Sequence, residues 1–166
     1  MSTTLHLVRH GETIENSQGV FQGQTPGHLS EKGKEEAVSL RPRLAEMTFD
    51  IVLCSDLKRC LDTAEIALDG IECTFIKEPL LRERDLGNLA GTPIKGAVLN
   101  ETVESEESMI KRANAFFDKV RKEYPDKRVL AFSHGFLCRI MQAELEGVTH
   151  RDVTLMGNCE IRTFVL

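Results

Sequence analysis

The sequence contains no run of apolar residues that approaches the roughly 20 needed for a membrane-spanning helix. Its five cysteines stand singly, and no C-x-x-C pair occurs among them. Neither a zinc site nor a disulfide framework is therefore predicted. No charged-then-apolar signal segment precedes the first strand-like run. We expect a reduced, cytoplasmic protein with no membrane partner.

The motifs of three large enzyme classes are also missing. There is no H-E-x-x-H, no G-x-x-x-x-G-K-[ST] and no G-x-G-x-x-G, so a metalloprotease, a P-loop NTPase and a dinucleotide enzyme lose their main support. A formal net charge of -5 argues against a nucleic-acid partner. At 166 residues the chain has the size of one ordinary domain, and we expect a single domain over 1–166.

Short apolar runs alternate with helical patterns along the chain. The predicted strands are Leu5–Val8, Ile51–Cys54, Val129–Phe132 and a last one at Glu160–Val165. Four helical stripes are marked by Ala37, Leu40, Leu44 and Met47, by Leu57, Leu61, Ala64 and Leu68, by Ile110, Ala113, Phe117 and Val120, and by Phe136, Ile140 and Met141. Ser30 should cap the first helix, Pro42 should kink or divide it, and Gly147 should close the last. Strands alternating with helices predict an α/β fold whose mostly parallel sheet is covered on both sides. The segment Gly87–Glu104 is predicted to be a loop.

The first predicted strand ends in Arg9, His10 and Gly11. In an open α/β sheet, ligands bind at the carboxyl ends of the strands, so this trio would lie where chemistry occurs. The residue types suit phosphate, because arginine supplies a fixed cation, histidine can act as a nucleophile and glycine lets the backbone come close. Four residues of strand span roughly 13 Å, so His6 and His10 cannot ligate one metal ion. We expect His6 to pack on the sheet.

Three further segments carry residues of the same chemical kind. Arg59 follows the second strand at the start of a helix, where backbone N–H groups also favour an anion. His134 and Gly135 follow a later strand and repeat the pattern at the end of the first one. A carboxylic acid beside a phosphate site would be suited to donate a proton. Glu83 and Asp85 are both candidates for that acid, and composition does not choose between them.

Together these segments resemble the histidine phosphatase superfamily, in its phosphoglycerate mutase-like branch, over nearly the whole chain. The matching segments are Arg9-His10-Gly11-Glu12-Thr13-Ile14-Glu15-Asn16, Phe21-Gln22-Gly23-Gln24-Thr25 followed by Leu29-Ser30 and Gly33, Ser55-Asp56-Leu57-Lys58-Arg59 followed by Thr63-Ala64, Leu81-Arg82-Glu83 with Gly87 and Gly91, Glu104-Ser105 with Arg112, Ser133-His134-Gly135, and Asn158-Cys159. The resemblance implies a three-layer α/β/α sandwich with a mostly parallel central sheet.

The resemblance also implies a role for each site residue. His10 would be phosphorylated, and water would then remove the phosphoryl group from it. Glu83, rather than Asp85, would protonate the leaving oxygen. The residues implied to bind the phosphoryl oxygens are Arg9, Arg59 and His134. Those implied to bind the substrate are Gly11, Asn16, Gln22, Gly23 and Gly135. No metal or other cofactor is expected, because arginines and histidines supply the cationic charge.

The chain departs from the family pattern at positions expected near the pocket mouth. Leu89-Ala90 stand where an aromatic residue and an acid are common, Val103 replaces a glycine, and His28 occupies a place commonly held by proline. These departures bear on the choice of substrate and leave the implied catalytic set intact.

We therefore expect a metal-independent phosphatase acting on a phosphate monoester, either a small molecule or a phosphoprotein. Relatives with mutase activity carry a longer insertion between the acid loop and the second histidine, whereas the connector Gly91–Glu104 is short. A more open pocket favours hydrolysis, since a mutase must exclude water during the exchange. The alternatives are a phosphoglycerate-type mutase and a phosphoprotein phosphatase, including one for phosphohistidine. A non-catalytic phosphate-binding module is less favoured, because binding needs neither the nucleophile nor the acid. The sequence carries no signal for an oligomeric state.

Overall fold

The computed structural model describes residues 2–166, over which the chain forms five strands and five α-helices. The strands are β1 (Thr4–Arg9), β2 (Ile51–Cys54), β3 (Phe75–Lys77), β4 (Arg128–Ser133) and β5 (Ile161–Val165). The α-helices are α1 (Ile14–Gln18), α2 (Glu31–Glu46), α3 (Lys58–Ala67), α4 (Glu106–Glu123) and α5 (Gly135–Glu146). Short 3₁₀ helices lie at Pro79–Leu81, Gly87–Leu89 and His150–Asp152.

The strands form one sheet in the order β3-β2-β4-β1-β5. β4 is parallel to both β1 and β2, β3 is parallel to β2, and β5 runs antiparallel to β1 at the edge. The predicted mostly parallel sheet is confirmed. All four predicted strands are present, although the last begins at Ile161 instead of Glu160. β3 has no counterpart in the prediction, because its three residues are all exposed and give no buried pattern.

Successive residues of each strand face opposite sides of the sheet, and a pair of helices covers each side. On one side, Val129 of β4 belongs to a core that includes Phe117 of α4 and Leu137 of α5. On the other side, Leu130 belongs to a core that includes Leu44 of α2 and several residues of α3. These two cores on either side of one sheet confirm the three-layer α/β/α architecture.

The helix ends follow the sequence, with one exception. The Ser30 hydroxyl accepts the N–H of Gly33 at 3.1 Å and so caps α2, and Gly147 ends α5 in the left-handed conformation. Of the two outcomes predicted for Pro42, a kink or a division of the first long helix, the division is wrong, since α2 runs unbroken through this residue. Pro42 lies on the exposed side of α2, so water can reach the carbonyl that its missing N–H leaves unpaired. No helix within residues 2–166 is both long and apolar enough to cross a membrane.

Candidate active site

The carboxyl ends of β1 and β4 lie side by side and bring two histidines together. Arg9 pairs with Ser133 in the parallel register, so His10 and His134, which follow these strands, emerge at the same edge of the sheet. Their ring centroids are 5.2 Å apart, and the rings meet edge to face. Both side chains are buried. The two His-Gly segments of the sequence thus form one cluster.

A cavity of about 340 Å³ opens beside this cluster. The predicted site residues that line it are Arg9, His10, Asn16, Gln22, Gly23, Arg59, Glu83 and Gly135. His134 is fully buried and reaches the site through its contact with His10. Gly11 does not line the cavity, and its N–H is not free for a ligand, because it donates to the Thr63 hydroxyl at 3.0 Å. A Cβ at Gly11 would lie 2.6 Å from the Gly33 carbonyl oxygen, so this glycine permits close packing against α2 instead.

The ring of His10 is held in one protonation state. Its Nδ1 lies 2.7 Å from the carbonyl oxygen of Gly11. Because a carbonyl oxygen only accepts hydrogen bonds, Nδ1 carries the proton and Nε2 keeps its lone pair. Burial, and then the positive charge of Arg59, lower the pKa of His10 to about 3. The imidazole is therefore neutral near pH 7, which is the form in which Nε2 is a nucleophile.

Ser55 and Cys60 contact the ring of His134. Its Nε2 lies 2.7 Å from the Ser55 hydroxyl and 3.4 Å from the Cys60 sulfur. The Ser55 oxygen accepts the N–H of Leu57 at 3.3 Å, and within residues 2–166 the Ser55 hydroxyl has no acceptor other than Nε2. The hydroxyl therefore donates to Nε2, which places the ring proton of His134 on Nδ1. Burial, and then the charge of Arg59, lower the pKa of His134 well below its ordinary value. This second ring is neutral as well.

Backbone carbonyl groups fix two arginines at the cavity. Arg9 Nη1 donates to the carbonyl of Met156 at 2.5 Å. Arg59 donates to the carbonyls of Thr25 and Gly23 at 2.5 and 2.6 Å. The Nε atoms of both arginines are buried and have no hydrogen-bond partner among residues 2–166. Unpaired buried donors are costly, so these two mark a place for an anionic acceptor.

Two glycines let these arginines lie against the backbone. A Cβ at Gly135 would come within 3.0 Å of Arg9 Nε. A Cβ at Gly27, whose φ is +69°, would lie 2.5 Å from Gln22 Oε1 and 3.1 Å from Arg59 Cδ. Gln22 Oε1 is the third buried polar atom without a partner in the described part of the chain. All three such atoms belong to residues that line the one cavity.

The carboxylate of Glu83 lies at the N-terminus of α5. Its Oε2 accepts the N–H of Phe136 at 3.0 Å, and its Oε1 accepts those of Leu137 and Arg84 at 3.0 and 2.9 Å. The first turn of a helix presents such free N–H groups to an anion. The carboxylate is thereby held at the cavity wall beside the two arginines.

Known proteins resemble this chain in sequence and in fold. The sequence model of the histidine phosphatase superfamily (branch 1) matches residues 5–165. The chain belongs to this family. The uncharacterized phosphatase PhoE of Bacillus subtilis (strain 168) is 30% identical to it over 87% of this chain and 78% of PhoE. The probable phosphoglycerate mutase GpmB of Escherichia coli O9:H4 (strain HS) is also 30% identical, over 87% of this chain and 75% of GpmB. Among solved structures, Bacillus stearothermophilus YhfR shares the fold with a TM-score of 0.90 at 24% identity, covering 97% of this chain and 90% of YhfR.

In this member of the histidine phosphatase superfamily, Arg112 of α4 anchors the loop that carries Glu83, a contact that the sequence alone does not indicate. Arg112 donates to the carbonyl groups of Leu80, Arg82 and Glu83. It also pairs with the Glu104 carboxylate at 2.9 Å, and both side chains of this ion pair are largely buried. Because Arg112 and Glu83 are 29 residues apart, no local spacing in the sequence signals the contact.

Several other polar residues of the chain lie away from the cavity. His6 bonds through Nδ1 to the Thr163 hydroxyl at 2.8 Å, on the sheet as predicted. His28 is exposed and does not line the cavity. Asp85 is exposed, and its carboxylate accepts the N–H of Gly87 at 2.9 Å. Within residues 2–166, no group of three or more His, Cys, Asp or Glu side chains could hold a metal ion.

Proposed function

We propose that this protein is a metal-independent phosphatase that hydrolyses phosphate monoesters through a phosphohistidine on His10. The state of His10 carries the proposal. Its ring is buried and neutral, its Nδ1 proton is committed to the Gly11 carbonyl, and its Nε2 lone pair remains. It lines the same cavity as the two arginines whose Nε donors are unpaired. A nucleophile among anion-binding donors is what phosphoryl transfer without a metal ion requires.

The residues of the site suit a two-step reaction. In the first step, His10 Nε2 attacks phosphorus, the N–P bond forms, and the P–O bond to the alcohol breaks. Arg9, Arg59 and His134 stabilise the charge on the phosphoryl oxygens, while Glu83 gives a proton to the leaving oxygen. In the second step, water attacks phosphorus, the N–P bond breaks, and the Glu83 carboxylate takes the proton of that water. The products are the alcohol and inorganic phosphate, and the enzyme returns to its starting state.

The position of Glu83 is compatible with this role. Its Oε2 accepts one N–H, from Phe136, and so keeps a lone pair for the transferred proton. Arg112 donates a hydrogen bond to the backbone carbonyl of Glu83 and so holds this residue in place at the cavity.

The mouth of the cavity supports hydrolysis over mutase activity. Ile94 and Leu99 line the cavity and are 48% and 51% exposed, so water has access to the site. A mutase must keep water away from the phosphoenzyme until the phosphoryl group has been transferred back to the bound intermediate. A phosphoglycerate-type mutase is the second candidate, favoured by the 30% identity to GpmB over most of both chains.

The experiment is phosphate release from a panel of small phosphate monoesters and phosphopeptides, with and without EDTA. We expect turnover that EDTA leaves unchanged and that His10→Asn abolishes. Glu83→Gln should slow alkyl esters by about 10²- to 10⁴-fold, because their poor leaving groups need the proton, and should slow p-nitrophenyl phosphate far less.

Other results would contradict the proposal in distinct ways. Loss of activity in EDTA, or full activity in His10→Asn, would refute the mechanism. Interconversion of 2- and 3-phosphoglycerate with little release of phosphate would show a mutase. Phosphate binding without turnover of any ester would indicate a non-catalytic module.

A further inference from the structure

Six of the residues that line the cavity have apolar side chains, and we call these side chains the apolar wall. They come from three segments of the chain and are Val20, Phe21, Leu86, Ile94, Leu99 and Phe136. None of these side chains can donate or accept a hydrogen bond. The cationic cluster fixes where a phosphoryl group would lie, so this wall faces the rest of the substrate.

Backbone hydrogen bonds hold two of the loops that contribute to this wall. The N–H of Phe21 donates to the Thr92 carbonyl at 2.9 Å, and the N–H of Gly91 donates to the Phe21 carbonyl at 2.8 Å. The N–H of Ile94 donates to the Gly19 carbonyl at 2.9 Å. The two loops that supply Phe21 and Ile94 are therefore paired with each other, and their apolar side chains are positioned without a ligand.

The wall begins next to the acid. Phe136 donates its N–H to Glu83 Oε2, so the ring of Phe136 belongs to the residue that holds the carboxylate. The guanidinium carbon of Arg84 lies 5.2 Å from the centre of that ring, and Arg84 Nε donates to the Glu104 carbonyl at 2.7 Å. An alcohol whose oxygen receives a proton from Glu83 would place its carbon skeleton along this surface.

We propose that this wall is a binding subsite for the alkyl or aryl part of an apolar alcohol, so that the preferred substrates are phosphate monoesters of such alcohols. Sugar hydroxyls would lose their bonds to water against these side chains and gain none, which costs binding energy. An apolar group would instead cover the half-exposed side chains of Ile94 and Leu99. This inference rests on the proposed phosphatase activity and names its substrate class.

The first test is the specificity constant for a series of n-alkyl phosphates from ethyl to octyl. Their leaving groups have nearly the same chemistry, so a trend with length reports binding of the chain. We expect kcat/KM to rise by about fourfold per methylene until the cavity is filled, which corresponds to about 0.8 kcal/mol per buried methylene. Propyl phosphate should exceed glycerol 1-phosphate, which has the same three-carbon skeleton and two hydroxyl groups. A flat series, or a preference for glycerol 1-phosphate, would overturn the proposal.

The second test changes the wall and keeps the phosphate site. Leu99→Asn should flatten the chain-length dependence, so that its loss of kcat/KM is larger for octyl phosphate than for ethyl phosphate. Val98→Asn is the matched control, because Val98 is the neighbouring residue, is 81% exposed and does not line the cavity. We expect Val98→Asn to keep the dependence of the unsubstituted protein. Equal effects of the two substitutions would refute the subsite.

The affinities of n-alkylphosphonates separate this inference from the proposed activity, because these compounds bind without being hydrolysed. If no ester is turned over, the proposed activity fails, but phosphonate affinity that rises with chain length and is flattened by Leu99→Asn still supports the subsite. Phosphonate affinity that is independent of chain length refutes the subsite, whatever the turnover.

Discussion

The hydrogen bond between Ser55 and His134 gives a prediction that separates catalysis from folding. Both side chains are fully buried, and the Ser55 hydroxyl lies 2.7 Å from His134 Nε2. The Cys60 thiol, the other neighbour of Nε2, donates its proton to the Ser133 carbonyl at 3.3 Å. Ser55 is therefore the group that holds the His134 proton on Nδ1. In Ser55→Ala we expect the proton to move to Nε2, where the Cys60 sulfur is a weak acceptor.

The expected magnitude follows from the burial of the pair. Removing one partner of a buried hydrogen bond costs about 1–3 kcal/mol, because the other partner is left unsatisfied. If the Nδ1 proton of His134 binds a phosphoryl oxygen in the transition state, the same free energy is lost there. At about 1.36 kcal/mol per factor of ten, kcat/KM should fall by about 5- to 150-fold.

The assay combines kinetics with ¹⁵N NMR of the imidazole nitrogens, which distinguishes the two tautomers of His134 without any substrate. Ser133→Ala is the matched control, since Ser133 is an equally buried serine whose hydroxyl donates to the Leu81 carbonyl at 2.8 Å. The control should lose a similar amount of stability and keep the Nδ1-protonated tautomer. An unchanged tautomer in Ser55→Ala, with kcat/KM within twofold of the unsubstituted protein, would refute the reasoning.

Three further predictions follow from close contacts and from burial. Gly135→Ala places a Cβ 3.0 Å from Arg9 Nε, so inhibition by inorganic phosphate should weaken by about tenfold, which is about 1.4 kcal/mol. The melting temperature should not change, and an unchanged inhibition constant would contradict this prediction. Gly33→Ala places a Cβ 2.0 Å from a backbone carbonyl oxygen and should lower the free energy of unfolding in urea by about 3 kcal/mol. Gly157→Ala, whose Cβ has no heavy atom within 4 Å, should change it little. Similar losses in the two variants would show that packing is not the cause. Folding depresses the pKa of His10 to about 3, so the unfolded chain binds the additional proton and stability is lost as the pH falls below about 6.5. Between pH 6 and 5 the unsubstituted protein should lose about 1 kcal/mol more unfolding free energy than His10→Asn, and parallel losses would mean that His10 is protonated in the folded state.

The sequence predicts those parts of the fold that rest on local patterns. Strands such as Leu5–Val8 and Val129–Phe132 are continuous apolar runs because helices bury both faces of the sheet. Parallel pairing then places His10 and His134 at one edge, which follows from the strand ends alone. A kink or a division of the helix is expected at Pro42, and the division does not occur, since Pro42 lies on the exposed side of α2.

The finer arrangement of the site depends on contacts between distant segments. Composition leaves Glu83 and Asp85 equivalent, and the resemblance to the family chooses Glu83. The structure places Glu83 at the cavity through Arg112, which is 29 residues away, and through the N-terminus of α5. The tautomer of His134 likewise depends on Ser55, 79 residues earlier in the chain. Such contacts leave no periodicity or spacing in the sequence, so residue patterns alone do not predict them.

The central claim is that His10 becomes phosphorylated during turnover. Its direct test is rapid quenching of the enzyme with a ³²P-labelled ester, followed by identification of the labelled residue. We expect one phosphoryl group per active site on His10, stable in alkali and lost in acid, and no label in His10→Asn. Turnover of the same ester with no labelled protein at any quench time, or with the label on another residue, would contradict the claim.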